Sequence, residues 1–414
     1  MRDDENLPPN LRQISVRSAM NILIRGARSR ADLAKDTGLS KQTMSEVMKS
    51  LEAAGWVRDV GTTTGRLGRS AILYEIDSHA GAVLGLDVGA TRVKLALTDV
   101  LGAPLAAREL RTDSLRSDRL VEEIMDRANT LIAEAGDGRR LRHACLATPG
   151  AINPATGQLA MAPNLPSLTG INLGAVLREG LGCEVTVEND VNAAIVGERW
   201  QGEARNADFA AYVALGTGIG LGLVAGGQLL RGASGAAGEV SYLPIGSDSL
   251  EPDSIARGAL ERSLGVRSVL ADFLDPEGTA ATVRRFAAAV DAGAPEALAA
   301  QGRIGELGAL LVLSVQAMFD PAVIVVGGIL GLVPSVFDRL EAELMRRTAR
   351  PVHLVRGSLG LQATVTGATY LALTGMFNQV FSPQTGPQLL DLPWPVPQAG
   401  SGDTTNGTAA TGAE

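Results

Sequence analysis

Residues 82–97 read AVLGLDVGATRVKLAL, an apolar run interrupted once, at Asp87–Thr91, and then resumed. Apolar and β-branched residues flanking a short glycine turn predict a strand–turn–strand unit. Gly89 lets backbone N–H groups approach a phosphate, Thr91 offers a hydroxyl, and Asp87 is placed to hold a metal-bound water. The stretch 211–220, AYVALGTGIG, repeats the arrangement, with a strand over Ala211–Leu215 followed by Gly216, Thr217 and Gly218. Later in the chain Val325-Val326-Gly327-Gly328 closes a further strand, at a place suited to a nucleotide base. One such turn is also what an ordinary hairpin uses. Three in this order point to one α/β architecture, and the likeness of the first two hints at a duplicated fold.

Outward from these turns, Val185–Val187 and Val323–Val326 are further β-branched runs, and alanine-rich helical patterns alternate with them. At 414 residues the chain is long enough for two or three folded units. Hydrophobic residues make up 45% and charged residues 20%, a mixture that can bury a sizeable core. Aromatics are only 3%, so that core must be built from Ala, Val, Leu and Ile. Read by eye, no apolar run approaches the roughly 18 residues of a membrane span. Met1–Asn6 is polar and followed by prolines, which does not read as a secretory signal. Cys145 and Cys183 each lie in an apolar stretch without a C-x-x-C partner, so neither a disulfide nor a cysteine-rich zinc site is expected. A cytoplasmic protein with no membrane partner is the expectation.

The net charge of −8 argues at first against nucleic acid, but its distribution reverses that impression. Residues 11–77 carry a net +4, residues 1–10 a net −2, and the remainder −10. A small basic head on an acidic body suits a module that meets phosphate while the rest does something else.

Within the head, Val16, Met20, Leu23, Ile24 and Ala27 recur at helical spacing. Ser29 is a suitable cap for a second helix, Arg30 to Thr37, that buries Leu33 and Ala34. Gly38 supplies a turn, Leu39 plugs the core, and Ser40 caps a third helix reaching Ala54, with Met44, Val47, Met48 and Leu51 inward. A helix, a short glycine turn and a capped helix make the helix-turn-helix pattern. The outer face of the third helix offers Lys41, Gln42, Thr43, Ser45, Glu46 and Lys49. Gln pairs with adenine edges, Lys with guanine or phosphate, and Ser or Thr with either, which is what major-groove reading needs. A basic loop follows, Gly65-Arg66-Leu67-Gly68-Arg69, before the alternating strand Ser70–Ile76, and it reads as a wing gripping DNA through Arg66 and Arg69. The plain alternative is a three-helix scaffold with solvated charges. The capped turn, the wing and the local charge together favour DNA.

Taken together, the chain resembles the ROK family (repressors, open reading frames and kinases), in the branch carrying an N-terminal winged helix-turn-helix. The resemblance covers roughly residues 11–378. It rests on Asp87–Thr91, Pro163-Asn164-Leu165, Glu188-Asn189-Asp190 with Asn192, Gly216–Gly220, Gly235–Glu239 and Gly327-Gly328. It implies an actin-like, ribonuclease-H-like pair of α/β lobes with a cleft between them. The boundaries read as a disordered stretch 1–10, a winged helix-turn-helix 11–77, a two-lobed effector domain 78–378 and a disordered tail 379–414.

By this resemblance Asn164, Asn189 and Asp190 bind sugar hydroxyls, joined by Glu239, Tyr242 and Glu251, and in a kinase Asp190 would be the general base. Asp87, Gly89, Thr91, Gly216, Thr217, Gly218, Gly327 and Gly328 would serve nucleotide phosphates if that function is retained. Read without the family, Glu188-Asn189-Asp190 is also a turn with Asp190 capping a helix that starts at Val191. The sequence leaves the family pattern at Gly238-Glu239-Val240-Ser241-Tyr242, where Tyr242 stands in place of the zinc-binding histidine and no cysteine follows. The zinc site is thus expected to be lost, no cofactor is expected, and ATP with magnesium is expected only if kinase activity persists. The implied function is a sugar- or sugar-phosphate-controlled regulator of carbohydrate genes, a repressor, acting as a homodimer or homotetramer on a palindromic operator. The alternative is an ATP-dependent sugar kinase with an attached DNA-binding domain.

Overall fold

The computed structural model describes residues 9–62, 71–112, 119–153, 155–160, 165, 168–381, 389–390 and 392–393. The wing residues Arg66 and Arg69, and Asn164 of the sugar set, lie outside the described residues.

The head is built from α1 (Pro9–Leu23), β1 (Arg28–Ser29), α2 (Arg30–Thr37), α3 (Lys41–Ala53), β2 (Val57–Thr62) and β3 (Ile72–Ile76). The strands form an antiparallel sheet in the order β1-β3-β2, the framework of a winged helix-turn-helix. Ser29 Oγ accepts from the Asp32 N–H at 3.1 Å and Ser40 Oγ from the Thr43 N–H at 3.0 Å, so both caps read from the sequence are formed. Between them Gly38 takes φ 72°, where a side chain would be strained. Met20, Leu23, Leu33, Met44 and Met48 fill the centre. The expected boundary at residue 11 shifts, because α1 already includes Pro9 and Asn10. A proline is tolerated there since the first helical turn has no use for its missing N–H.

The first lobe follows: β4 (Ala82–Val88), β5 (Arg92–Asp99), β6 (Pro104–Arg111), α4 (Leu120–Ala135), β7 (Leu141–Thr148), the short hairpin β8 (Ala151–Ile152) and β9 (Leu159–Ala160), α5 (Leu173–Leu181), β10 (Glu184–Asn189) and α6 (Asp190–Gln201). Among the described residues its five-stranded sheet has the order β10-β7-β4-β5-β6, antiparallel across β4-β5-β6 and parallel across β4-β7-β10. The second lobe is β11 (Ala210–Leu215), β12 (Ile219–Ala225), β13 (Gln228–Leu229), then α7 (Pro252–Arg257), α8 (Ala259–Leu264), α9 (Val266–Val269), α10 (Thr279–Asp291), α11 (Pro295–Phe319), β14 (Val323–Gly327), α12 (Gly328–Gly331), α13 (Pro334–Met345) and β15 (Leu354–Arg356). Its sheet, β13-β12-β11-β14-β15, repeats the first lobe's order and directions. The duplication hinted at by the two glycine turns is therefore real: each turn joins the first two strands of its lobe.

The last helix among the described residues, α14 (Ala363–Phe381), returns to the first lobe and packs with α6 against β4 and β7. The two helices cross so tightly that a Cβ on Gly367 would lie 1.7 Å from the Ala193 carbonyl oxygen. Helix α6 also lies against β11 and β12, so it is the layer between the two sheets. The far end of α14 reaches the head. Phe381 meets Trp56 edge-on at 5.0 Å between ring centroids, and the Arg142 guanidinium lies over the Trp56 ring at 4.8 Å.

Two expectations need correction here. The stretch from 379 is expected to be a disordered tail, yet Phe381 is 3% exposed and Leu389, Leu390 and Leu392 pack against the core. The Tyr370 hydroxyl donates to the Leu390 carbonyl. Leucines spaced through a proline-rich stretch have no periodicity to announce them. Helix α11 is also 25 residues long and apolar enough to match a membrane span by composition, which reading by eye missed. It is a core helix of the second lobe, with Ile304, Leu311, Val312 and Val315 fully buried.

Candidate functional site

The parallel strands of the first lobe end side by side at Asp87, Thr148 and Asn189, the edge at which ligands bind in sheets of this type. Asn189 is the N-cap of α6: its Oδ1 accepts from the N–H groups of Val191 at 2.9 Å and Asn192 at 3.0 Å. Its Nδ2 donates to the Gly150 carbonyl at 3.1 Å. The capping read from the sequence thus falls one residue earlier than expected, on Asn189, and Asp190 is the first residue of the helix. With both ends of its amide engaged, Asn189 shapes the site more than it offers a fresh donor to a ligand.

Asp190 stands at this helix start, between the two sheets. Burial pushes its carboxyl up to about 6, against the hydrogen bonds that favour the charged form, foremost that from the Val191 N–H. Asp87, at the end of β4, is pushed up to about 7, again chiefly by burial, with Lys94 opposing and the charge of Asp190 adding to the rise. Lys94 sits directly across the hairpin from Asp87, its Nζ 3.6 Å from the carboxylate, and also donates to the Leu361 carbonyl. Glu239 and Glu261 are raised too, mainly by burial, and Glu239 feels the charges of both Asp190 and Glu261. Glu239 is brought over β12 by Gly238, whose φ is 93° and whose carbonyl accepts from the Leu221 N–H. A Cβ there would fall 1.9 Å from the Leu221 oxygen, so only glycine fits.

The fold thus gathers Asp87, Asp190 and Glu239, read from sequence, around the two glycine turns. Tyr242 and Glu251 lie further out. Tyr242 is 43% exposed and its hydroxyl donates to the Ala256 carbonyl at 3.3 Å, while Glu251 pairs with Arg262. A phenol, a serine at 249 and a carboxylate already paired with arginine are not the donor set that zinc takes. Among the described residues no group of three His, Cys, Asp or Glu side chains is placed to hold a metal. Gly327 and Gly328 are accounted for by packing: the Tyr212 hydroxyl lies 1.8 Å from where a Cβ on Gly327 would be, and Gly328 has φ 76°.

Glu188 and Asn192 stand in the motif that carries the family resemblance, but no role is expected of them there, nor of Lys94 and Thr148. Glu188 is 3% exposed. It receives Arg231 Nε at 2.8 Å and Nη2 at 2.7 Å on one oxygen, and the Asn189 N–H and Asn192 Nδ2 on the other. This pair ties the last strand of the first lobe to the segment after β13. Nothing local predicts it, since the partners are 43 positions apart. Lys94 did carry a signal: a lysine alone within an apolar strand is buried with a partner or misplaced. Thr148 Oγ1 and Asn192 Oδ1 are buried with no hydrogen-bond partner among the described residues, at the same edge. Orphaned polar atoms of this kind mark where a ligand or water completes the bonding.

On the head, Lys41, Gln42, Glu46 and Lys49 are exposed along one side of α3, with Thr43 and Ser45 half-buried beside them. The Thr43 hydroxyl is shared with Ser40 at 2.8 Å, so it belongs to the cap as well as to the outer face.

Comparison with known proteins adds four findings. The family model described as ROK family matches residues 83–374. The chain is 26% identical to the xylose repressor of Bacillus subtilis over 85% of its own length and 92% of that protein. It is 26% identical to a xylose repressor of Caldicellulosiruptor bescii over 52% of its length, and the match spans only 55% of that relative. Among solved structures, a ROK family transcriptional regulator, homolog of the E. coli MLC protein, superposes with a TM-score of 0.69 at 21% identity, covering 90% of this chain and 98% of that one. At that identity the likeness concerns the fold, and the fold it covers includes the head.

Proposed function

Because the chain belongs to the ROK family, we propose that it is a sugar-responsive transcription repressor of carbohydrate genes, working in the cytoplasm. Its head reads operator DNA and its cleft takes the sugar. One observation carries the reading: a single helix touches both places. Near the start of α14 the Thr364 hydroxyl donates to the Asp190 carbonyl at 3.4 Å, and at its end Phe381 packs on Trp56 of the head. Nineteen residues of helix span roughly 28 Å at about 1.5 Å each.

A sugar held by Asp190 and Glu239, with the orphaned Thr148 and Asn192 atoms beside them, changes DNA affinity only by preferring one placement of the heads. In this reading Lys41, Gln42, Thr43, Ser45 and Lys49 face the major groove, with Arg66 and Arg69 as the wing. A homodimer or homotetramer presents two heads to a palindromic operator. Leu298, Leu310, Met318 and Phe319, exposed along α11, are consistent with such an assembly.

The test is Asp190→Ala. Losing a buried polar partner costs about 1–3 kcal/mol, so sugar binding by calorimetry should weaken at least about tenfold. Operator affinity without sugar should stay near the wild-type value. A variant that releases operator on sugar addition as wild type does would place the effector elsewhere. If wild type consumed ATP in a sugar-dependent way and Asp190→Ala did not, the sugar-kinase reading would replace this one.

A further inference from the structure

The fold family pairs its sugar cleft with a nucleotide whose phosphates rest on the two glycine turns, and the residues present here do not fit that group. In the second lobe's turn the Ile219 N–H donates to Glu261 Oε2 at 2.8 Å, and the Gly216 N–H donates back to the Gly218 carbonyl at 3.1 Å. The two Glu261 oxygens lie 3.7 and 3.9 Å from where a Cβ on Gly218 would be, which is the open side that glycine leaves for an anion. In the first lobe's turn the Gly89 N–H is spent on the Arg92 carbonyl at 2.9 Å, and Lys94 is held by Asp87 and Leu361.

We propose that Glu261 is a built-in anion that fills the phosphate position of the Gly216–Gly220 turn, so that the cleft admits an uncharged sugar and excludes nucleotide phosphates. Two physical reasons support it. A carboxylate presents the same acceptor geometry to a loop N–H as a phosphate oxygen does. An incoming phosphate also meets the like charge of Glu261, beside the acidic groups Asp190 and Glu239, with Lys94 already engaged by Asp87 and Leu361. Glu261 is 42 positions from Ile219, on the short helix α8, and Arg257 is the cation whose charge opposes the rise in its pKa.

This inference rests on the reading of the Gly216–Gly220 turn as a phosphate loop. It does not depend on whether the sugar controls DNA binding, which Asp190→Ala tests separately. The experiment is titration of full-length protein with Mg·ADP by calorimetry, and with inorganic phosphate by thermal shift. Wild type should show no saturable nucleotide binding. Glu261→Ala should gain it, by at least about tenfold over any wild-type signal, equivalent to about 1.4 kcal/mol. Glu261→Gln keeps the size and an acceptor but not the charge, and should gain an intermediate affinity. It also covers the case in which the alanine variant does not fold. Wild type binding Mg·ADP as tightly as the variants would overturn the proposal, and so would folded variants that bind none.

Discussion

The two lobes share one strand order but not one economy of support. The second lobe is covered by helices that follow its own strands, α10 to α13, and its outer core is complete within residues 211–354. The first lobe borrows: the face of β4 and β7 turned toward the second lobe is covered by α6 and by α14, the last helix among the described residues. The glycine turns diverge in the same way. In the first, a carboxylate, Asp87, is answered by Lys94, and in the second, a backbone N–H is answered by the carboxylate of Glu261. A duplicated scaffold fixes where a group stands, and the charges placed there are tuned lobe by lobe.

The largest effect should come at the seam. Gly367→Val drives a side chain into the Ala193 carbonyl, a backbone atom that cannot turn aside, whereas Gly331→Ala in the second lobe would meet the methyl of Val326 at 2.9 Å. Overpacking costs about 1–3 kcal/mol and occasionally more. The seam variant should lie at or beyond the top of that range and Gly331→Ala near the bottom, read as urea midpoints. Equal losses would mean that the first lobe is not the one held by borrowed packing.

Next is Lys94→Met, which keeps the stem and removes the charge facing Asp87. Breaking a buried pair costs about 3–5 kcal/mol when the remaining charge cannot be relieved. Asp87 can take up a proton, so about 2 kcal/mol is expected near pH 8. The sign follows from the raised value of about 7 in the folded chain against about 4 unfolded. The folded state holds a proton that the unfolded chain has lost, so this group's contribution is most favourable below about pH 4 and declines as pH rises through about 7. Without Lys94 the decline should steepen, and the gap between variant and wild-type melting temperatures should widen from about pH 5 to about pH 8. A constant gap would show that Lys94 acts through packing alone.

The smallest effect concerns the ligand. A sugar hydroxyl that donates to ionised Asp190 favours its charged form, so affinity should rise as pH passes through about 6. The change should be severalfold, about 1 kcal/mol, and Asp190→Asn should flatten it. A profile that persists in Asp190→Asn would move the titrating group to Asp87 or Glu239.

How much of this was legible in the sequence depends on the range over which each signal acts. The caps at Ser29 and Ser40, the turn at Gly38 and the buried face of α3 are set by residues within one or two turns, and all were read correctly. The paired glycine turns were legible because glycine is itself the signal, and they led to the right fold and family. Asn189 as the cap, in place of Asp190, was a one-residue slip between two residue types that cap equally well. The Glu188–Arg231 pair, the Glu261 contact and the docking of Phe381 on Trp56 join positions far apart in sequence. Only the folded sheets bring them together, and no spacing rule reaches that far. Tyr242 and Glu251 turn their polar ends to Ala256 and Arg262, contacts that no local spacing rule forecasts.

The position of α14 sets the order in which the protein can be made. A ribosome adds about 5–20 residues per second, and domains generally fold as units as they emerge. Here the head and the strands β4 and β7 are synthesised before the second lobe, yet the helix that covers β4 and docks the head is synthesised after it. The second lobe has all its own coverings before α14 is made, so it can close while the first lobe waits with an apolar face bare. Termination anywhere before residue 363 would release a chain whose head is formed but undocked, and whose older lobe still lacks its lid.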